Sequence, residues 1–168
     1  FAKYLSDFLA VYLPTHKNVS KNTIHSYRDT FKLLLRYCQD VKGLPVERLT
    51  LDGLSSQWIT DFLQWLERDR KCSISTRNQR LAAIHSFFRY VQAEEPAGLF
   101  HFQKITSIPI KKEKKAVVGY LTPEAIKLLL EQPNRHTPKG RRDLTLISVL
   151  YDSGARVQEL IDLRVCDV

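Results

Sequence analysis

The chain has 168 residues, of which 43% are hydrophobic, a proportion that allows a packed core and excludes a disordered chain. Lysine and arginine total 26 against 18 acidic residues, and the net charge of +8 favours a polyanionic partner, nucleic acid before an acidic membrane. The cysteines, Cys38, Cys72 and Cys166, form no C-x-x-C pair and no zinc-ligand spacing, so we expect reduced thiols in the cytoplasm and no metal site. No signal peptide and no apolar run of about 18 residues is present, so the sequence predicts no membrane insertion.

Hydrophobic residues recur at helical spacing along four stretches of the first 95 residues. The first predicted helix spans residues 1–13 and is expected to end at Pro14. The second follows Ser20, a good N-cap, and runs to about Asp40. These two helices open a predicted domain over residues 1–95.

The third and fourth predicted helices complete this domain. The third spans residues 57–68 behind Ser55 or Ser56, and the fourth spans residues 76–93 with Ser75 as its N-cap. No alternating run of β-branched residues requires a strand, so the pattern predicts an all-α four-helix bundle. The aromatic residues on its apolar faces are predicted to be core and not base-stacking platforms: Phe8, Phe31, Trp58, Phe62, Trp65, Phe87 and Phe88.

From Glu95 the pattern changes. The stretch Lys104–Lys115 is basic, lacks a helical period and is predicted to be extended, as part of an interdomain linker over residues 96–118. Thr122 is then the expected N-cap of another helix, which opens a second domain over residues 119–168.

The last stretch, Leu150–Val168, reads LYDSGARVQELIDLRVCDV. An apolar helix breaks at Ser153-Gly154, and Arg156 stands at the break with Glu159 one turn later. A guanidinium presents a rigid fork of donors to two phosphate oxygens, and a carboxylate one turn away can orient it. Taken alone, the two residues also fit an ordinary surface ion pair.

The string L-Y-x-S-G-A-R-V-x-E-L-x-x-L-x-x-x-D-V resembles the first arginine box of the tyrosine recombinases, the family of phage integrases and Xer-like proteins. Three earlier stretches resemble the family in the same order: Thr23–Tyr37, Ser75–Tyr90 and Tyr120–Leu130. The resemblance implies a SAM-like core-binding bundle, a basic linker and the opening helices of a mainly α catalytic domain.

The resemblance also implies an activity, site-specific recombination of DNA through a covalent phosphotyrosine intermediate. The whole protein would act as a tetramer on two DNA sites, with no metal or nucleotide cofactor. Arg156 would hold the scissile phosphate, and Glu159 would orient the Arg156 side chain. No lysine, histidine or tyrosine follows Arg156. We therefore expect the chain to be a piece of a longer protein that carries the nucleophile, and we expect the piece itself not to cleave DNA.

Members of the family contact DNA with the second and fourth helices. Polar residues cluster at both helix N-termini, where free N–H groups and the helix dipole favour phosphate. The candidate contacts are Lys21, Asn22 and Thr23 on the second helix and Ser75, Thr76, Arg77, Asn78 and Arg80 on the fourth. The lysines expected to lie along phosphates in the linker are Lys111, Lys112, Lys114 and Lys115. For each residue the alternative is a helix cap or a solvated surface side chain.

Two other functions remain open from the sequence. One is a non-catalytic DNA-binding relative or regulatory module, which would lack the later catalytic residues. The other is a helical protein-interaction domain with an incidental basic charge, which would show no salt-dependent binding to DNA.

Overall fold

A computed structural model of the chain describes residues 1–113, 119–164 and 166. These residues form helices and loops, and no strand occurs among them, so the all-α prediction is confirmed. Contacts divide the chain into two units, Phe1–Lys114 and Lys115–Val168. Of the helices in the described part, none has the length and hydrophobicity that spanning a membrane requires.

The first unit is a helical bundle built around one central helix. Its helices are α1 (Ala2–Asp7) continuing as a π-helix (Phe8–His16), α2 (Lys21–Asp40), α3 (Ser56–Arg68), α4 (Ile74–Glu94) and α5 (Leu99–Thr106). Single 3₁₀ turns lie at Val46–Arg48 and Pro96–Gly98. Helix α4 is central because it packs against α2, α3 and α5.

An aromatic cluster forms the middle of the core. The ring of Phe87 on α4 meets Phe8, Phe31 and Phe88 edge-to-face, with centroids 5.4, 5.1 and 5.3 Å away. All four rings are fully buried, and such pairs add about 0.5–1.5 kcal/mol each beyond area burial. Phe62 is also buried, while Trp58 and Trp65 are half-buried against the core. The core assignment of these aromatic residues is confirmed.

Pro14 does not end the first helix, as the sequence had suggested. It lies inside the π-helix, whose wider turns carry hydrogen bonds such as Lys17 N–H to Tyr12 C=O at 3.1 Å. Phe8 and Leu13 are both fully buried, so tertiary packing holds this segment helical despite the missing proline donor.

Ser75 is not the N-cap of the fourth helix. Ser73 is extended (φ −65°, ψ 160°), and its Oγ accepts the N–H of Thr76 at 3.1 Å, so α4 begins at Ile74. Ser75 lies in the first turn and is exposed. The predicted caps Ser20 and Ser55 are confirmed. The Oγ of Ser20 accepts the backbone N–H of Thr23, and the Oγ of Ser55 accepts that of Trp58.

The segment after α4 is more ordered than expected. Residues Lys104–Thr106 belong to α5, so the prediction that they are extended is wrong. Phe102 and Ile105 on α5 are buried, and this apolar pair folds the short helix onto the bundle. The linker boundaries at residues 95 and 118 stay a prediction, and residues 114–118 lie outside the described part of the chain.

The described residues of the second unit form three helices, α6 (Pro123–Glu131), α7 (Pro138–Ser153) and α8 (Val157–Ile161). Thr122 caps α6 as predicted, with its Oγ1 accepting the N–H of Ala125 at 3.2 Å. Gly140 is buried so tightly that an added Cβ would collide with the Asn134 carbonyl oxygen. No hydrophobic side chain is buried among the described residues of this unit, so these helices have little core of their own.

We expect Phe87→Ala to lower the free energy of unfolding by about 3–5 kcal/mol, because it empties the centre of the aromatic cluster. Phe100→Ala is the matched control, since that residue is 82% exposed. This substitution should change the free energy of unfolding by less than about 0.5 kcal/mol. Urea unfolding followed by tryptophan fluorescence reports on this unit, because Trp58 and Trp65 both lie on α3. Equal effects of the two substitutions would contradict the described core.

We expect Ser73→Ala to cost about 1 kcal/mol, because it removes the oxygen that caps α4. Ser75→Ala should change stability by less than about 0.5 kcal/mol, since alanine is the better helix former within a first turn. The same urea titration compares the two variants. A larger loss from the Ser75 variant would place the helix start where the sequence had suggested.

Candidate nucleic-acid interface

The N-terminus of α2 presents exposed polar side chains. Ser20 Oγ accepts the Thr23 N–H at 3.2 Å and also lies 3.0 Å from Thr23 Oγ1, so these two hydroxyls satisfy each other locally. Lys21 and Asn22 are exposed beside them. Of the three candidates on this helix, Lys21 and Asn22 are thus exposed, whereas Thr23 is half-buried and contacts Ser20.

A basic stripe runs along α2 from its first turn. Lys21, His25, Arg28, Lys32 and Arg36 are all exposed and follow at i, i+4, i+7, i+11 and i+15, so they lie on one side of the helix. Arg28 Nη2 donates to His25 Nδ1 at 3.0 Å within the stripe. This surface was not predicted from the sequence, although the helical spacing of its basic residues is visible there.

The N-terminal halves of α2 and α4 are joined by hydrogen bonds. Arg80 Nη1 donates to the Ser26 carbonyl at 3.2 Å and to Thr30 Oγ1 at 3.1 Å. Gln79 Nε2 donates to Ser26 Oγ at 3.1 Å. This junction brings the two candidate DNA-facing helices side by side, and it engages Arg80 within the protein.

The candidates on α4 fall into two groups. Ser75 is exposed and Thr76 half-buried, with Thr76 Oγ1 accepting a bond from the Ser73 hydroxyl. Arg77 is only 5% exposed, and burial lowers the pKa of its guanidinium while the Glu67 carboxylate acts in the opposite direction. Asn78 is half-buried and bonds to the backbone of the linker.

The lysine run divides in the same way. Lys111 and Lys112 are both exposed, but the side chain of Lys111 pairs with Glu67 on α3. Lys114 and Lys115 lie outside the described residues. Whether any of these candidates touches DNA stays a prediction.

Arg156 and Glu159 form a compact pair at the start of α8. Gly154 ends α7 in the left-handed region (φ +65°), and Arg156 is then the N-cap of α8. Glu159 accepts two bonds at 2.8 Å, from the Arg156 backbone N–H to Oε2 and from Arg156 Nη1 to Oε1. These bonds, the backbone one first, hold the pKa of Glu159 below its ordinary value.

The Arg156 side chain is 85% exposed despite its ion pair. Its remaining donors therefore face solvent while one edge is fixed by the carboxylate, an arrangement suited to an oxyanion such as phosphate. Within the described residues, no group of three or more His, Cys, Asp or Glu side chains could hold a metal ion.

Comparison with known proteins gives consistent matches. The family described as "Phage integrase, N-terminal SAM-like domain" matches residues 5–95. The protein named "Putative integrase/recombinase y4rC" from Sinorhizobium fredii is 36% identical over 167 residues, covering 99% of this chain and 50% of that protein. A tyrosine recombinase XerC from Herpetosiphon aurantiacus is 33% identical over 98% of this chain and 51% of its own length.

A tyrosine recombinase XerD from Listeria monocytogenes is 27% identical over 98% of this chain and 52% of its own length. The chain thus spans about half the length of the curated relatives described here. No solved structure gave a significant match to the chain.

We expect the pKa of Glu159 to lie below its ordinary value in an NMR titration of its side-chain carboxyl. Because the pKa of Glu159 is lowered in the folded helix, its ionised carboxylate stabilises the helix at pH values above the ordinary pKa. This stabilisation is lost as the pH falls through the lowered pKa. Arg156→Ala should raise the pKa only part of the way, since the backbone bond remains.

Glu124 is the internal control for this titration. The pKa of its carboxyl is also lowered, by its own backbone N–H and by Thr122, and should not respond to the substitution. An unchanged Glu159 titration in Arg156→Ala would contradict the ion pair.

Proposed function

The chain belongs to the phage integrase family of tyrosine recombinases, and we propose that it provides the DNA-binding domain and the first catalytic arginine of a site-specific DNA recombinase. The observation that carries the proposal is the exposed Arg156 guanidinium, fixed by Glu159, on the string that resembles the family's arginine box. The match of residues 5–95 to the family supports the DNA-binding role of the first unit.

Arg156 would act on the phosphate at which strands are cut. Its free donors bind the non-bridging oxygens, whose charge is redistributed in the transition state, and Glu159 keeps the guanidinium from rotating away. Preorganised donors of this kind stabilise developing charge without having to reorient during the reaction.

Strand exchange by this family keeps the number of phosphodiester bonds constant. A tyrosine hydroxyl attacks phosphorus and the deoxyribose oxygen leaves; a hydroxyl from another strand then attacks and releases the tyrosine. The bond energy is retained in the phosphotyrosine, so the chemistry consumes no nucleotide. No tyrosine follows Arg156, and Tyr151 precedes the box on α7, so we propose that this chain binds DNA without cutting it.

The first unit would bind the DNA backbone with its exposed cations. The stripe from Lys21 to Arg36 and the exposed Lys112 supply positive charge, and Lys114 and Lys115 are proposed to add to it. Asn22, Thr23, Ser75 and Thr76 at the two helix N-termini are the proposed polar contacts. We propose further that the whole protein acts as a tetramer on two DNA sites in the cytoplasm.

We expect the 168-residue chain to bind a labelled mixed-sequence duplex with an affinity that falls steeply with salt. Lys21→Ala and Arg28→Ala should each reduce the slope of log K against log salt by about 0.9, because each removes one phosphate contact. Lys42→Ala is the matched control, since Lys42 already pairs with Asp61 at 2.8 Å. Fluorescence anisotropy over a salt series measures all four proteins.

The same proteins should form no adduct with DNA that survives denaturant. An adduct with the 168-residue chain would contradict the assigned roles. Absence of salt-dependent binding in the wild type would instead favour a protein-interaction domain.

A further inference from the structure

The chain leaving α5 is fastened to α4 by side-chain-to-backbone hydrogen bonds. Asn78 Nδ2 donates to the Lys111 carbonyl at 2.8 Å, and Asn78 Oδ1 accepts the Lys111 N–H at 3.1 Å. Arg77 Nη1 donates to the Pro109 carbonyl at 3.3 Å. The Asn78 amide thus pairs with both backbone groups of Lys111, the N–H and the C=O, and it joins positions 33 residues apart.

A carboxylate on α3 lies between two cations of this region. Lys111 Nζ donates to both oxygens of Glu67 at 2.8 Å, and Arg77 Nε lies 3.6 Å from Glu67 Oε1. The Glu67 side chain is 24% exposed and that of Arg77 only 6%. A buried guanidinium needs compensation, and Glu67 provides the charge while Pro109 and Asn78 provide acceptors for Nη1.

The fastened segment is also anchored by apolar contact. Ile108 packs against the core, and its N–H bonds to the Ile105 carbonyl at 3.2 Å. Three kinds of interaction therefore act on residues 108–111: packing, backbone hydrogen bonds and an ion pair. The segment therefore does not depend on a surface ion pair alone, which would contribute little to stability.

We propose that Glu67, Arg77, Asn78 and Lys111 form a clasp that holds residues 108–111 on α3 and α4. The clasp fixes the point at which the chain leaves the bundle, beside the second turn of α4. It also commits Arg77 and Lys111 to the protein, so that phosphate contacts of the lysine run begin at Lys112. The clasp itself is independent of the proposed function, and only this consequence for DNA binding rests on it.

The clasp is tested first on the free 168-residue protein by NMR hydrogen exchange. Asn78→Ala should make the Lys111 amide exchange about fivefold faster or more, because its acceptor is lost. The amide of Leu63, in the middle of α3, should keep its rate and so report that the bundle remains folded. An unchanged Lys111 rate in a folded Asn78→Ala protein would overturn the clasp.

The consequence for DNA is tested by the salt dependence of duplex binding in neighbouring lysine variants. Lys112→Ala should make the slope of log K against log salt less steep by about 0.9, while Lys111→Ala should leave this slope unchanged. Glu67→Gln should make this slope steeper, because it releases Lys111 to bind phosphate. An equal loss from Lys111→Ala and Lys112→Ala would overturn the assignment of Lys111 to the clasp.

The two proposals fail in distinguishable ways. If the wild-type chain shows no salt-dependent binding, the proposed function fails, whereas the exchange of the Lys111 amide still decides for or against the clasp.

Discussion

The first unit depends on the packing of Phe87 in the middle of α4. Rings from the π-helix, from α2 and from α4 itself surround it, and this cluster fixes the C-terminal half of α4 in the core. Ser75 and Gln79 are exposed on the N-terminal half of α4, and the bonds of Gln79 and Arg80 hold that half against α2.

The basic side chains of the first unit include two groups, the exposed ones along α2 and those that are bonded to acceptors elsewhere in the protein. The cations along α2 are exposed, whereas Arg77, Arg80 and Lys111 are held by acceptors within the protein. Residue type alone does not separate these groups, because an arginine that binds phosphate and one that binds a carbonyl use the same donors. Burial and partner geometry separate them. The total of 26 lysines and arginines therefore overstates the number of cations available to DNA.

What the sequence could predict was the local structure. Helix α2, the caps Ser20 and Thr122, and the meeting of Arg156 with Glu159 all depend on residues within one helical turn. The errors involve packing between distant residues: buried Phe8 and Leu13 carry a helix through Pro14, and Phe102 folds α5 onto α4.

The clasp joins residues 33 and 44 positions apart, so no local pattern could reveal it. Ser73 and Ser75 show a different limit. Both are good N-caps two residues apart, and only the backbone conformation decides which hydroxyl meets a free N–H.

The most direct test of the account is a suicide-substrate assay on the full-length protein, using a nicked duplex of its own recombination site beside the Arg156→Ala variant. We expect a covalent adduct that survives denaturant in the wild type and is reduced about 100-fold or more in the variant, the loss typical of removing a charge-stabilising donor. Salt-sensitive binding with no adduct in either protein would contradict the recombinase assignment and leave a DNA-binding module.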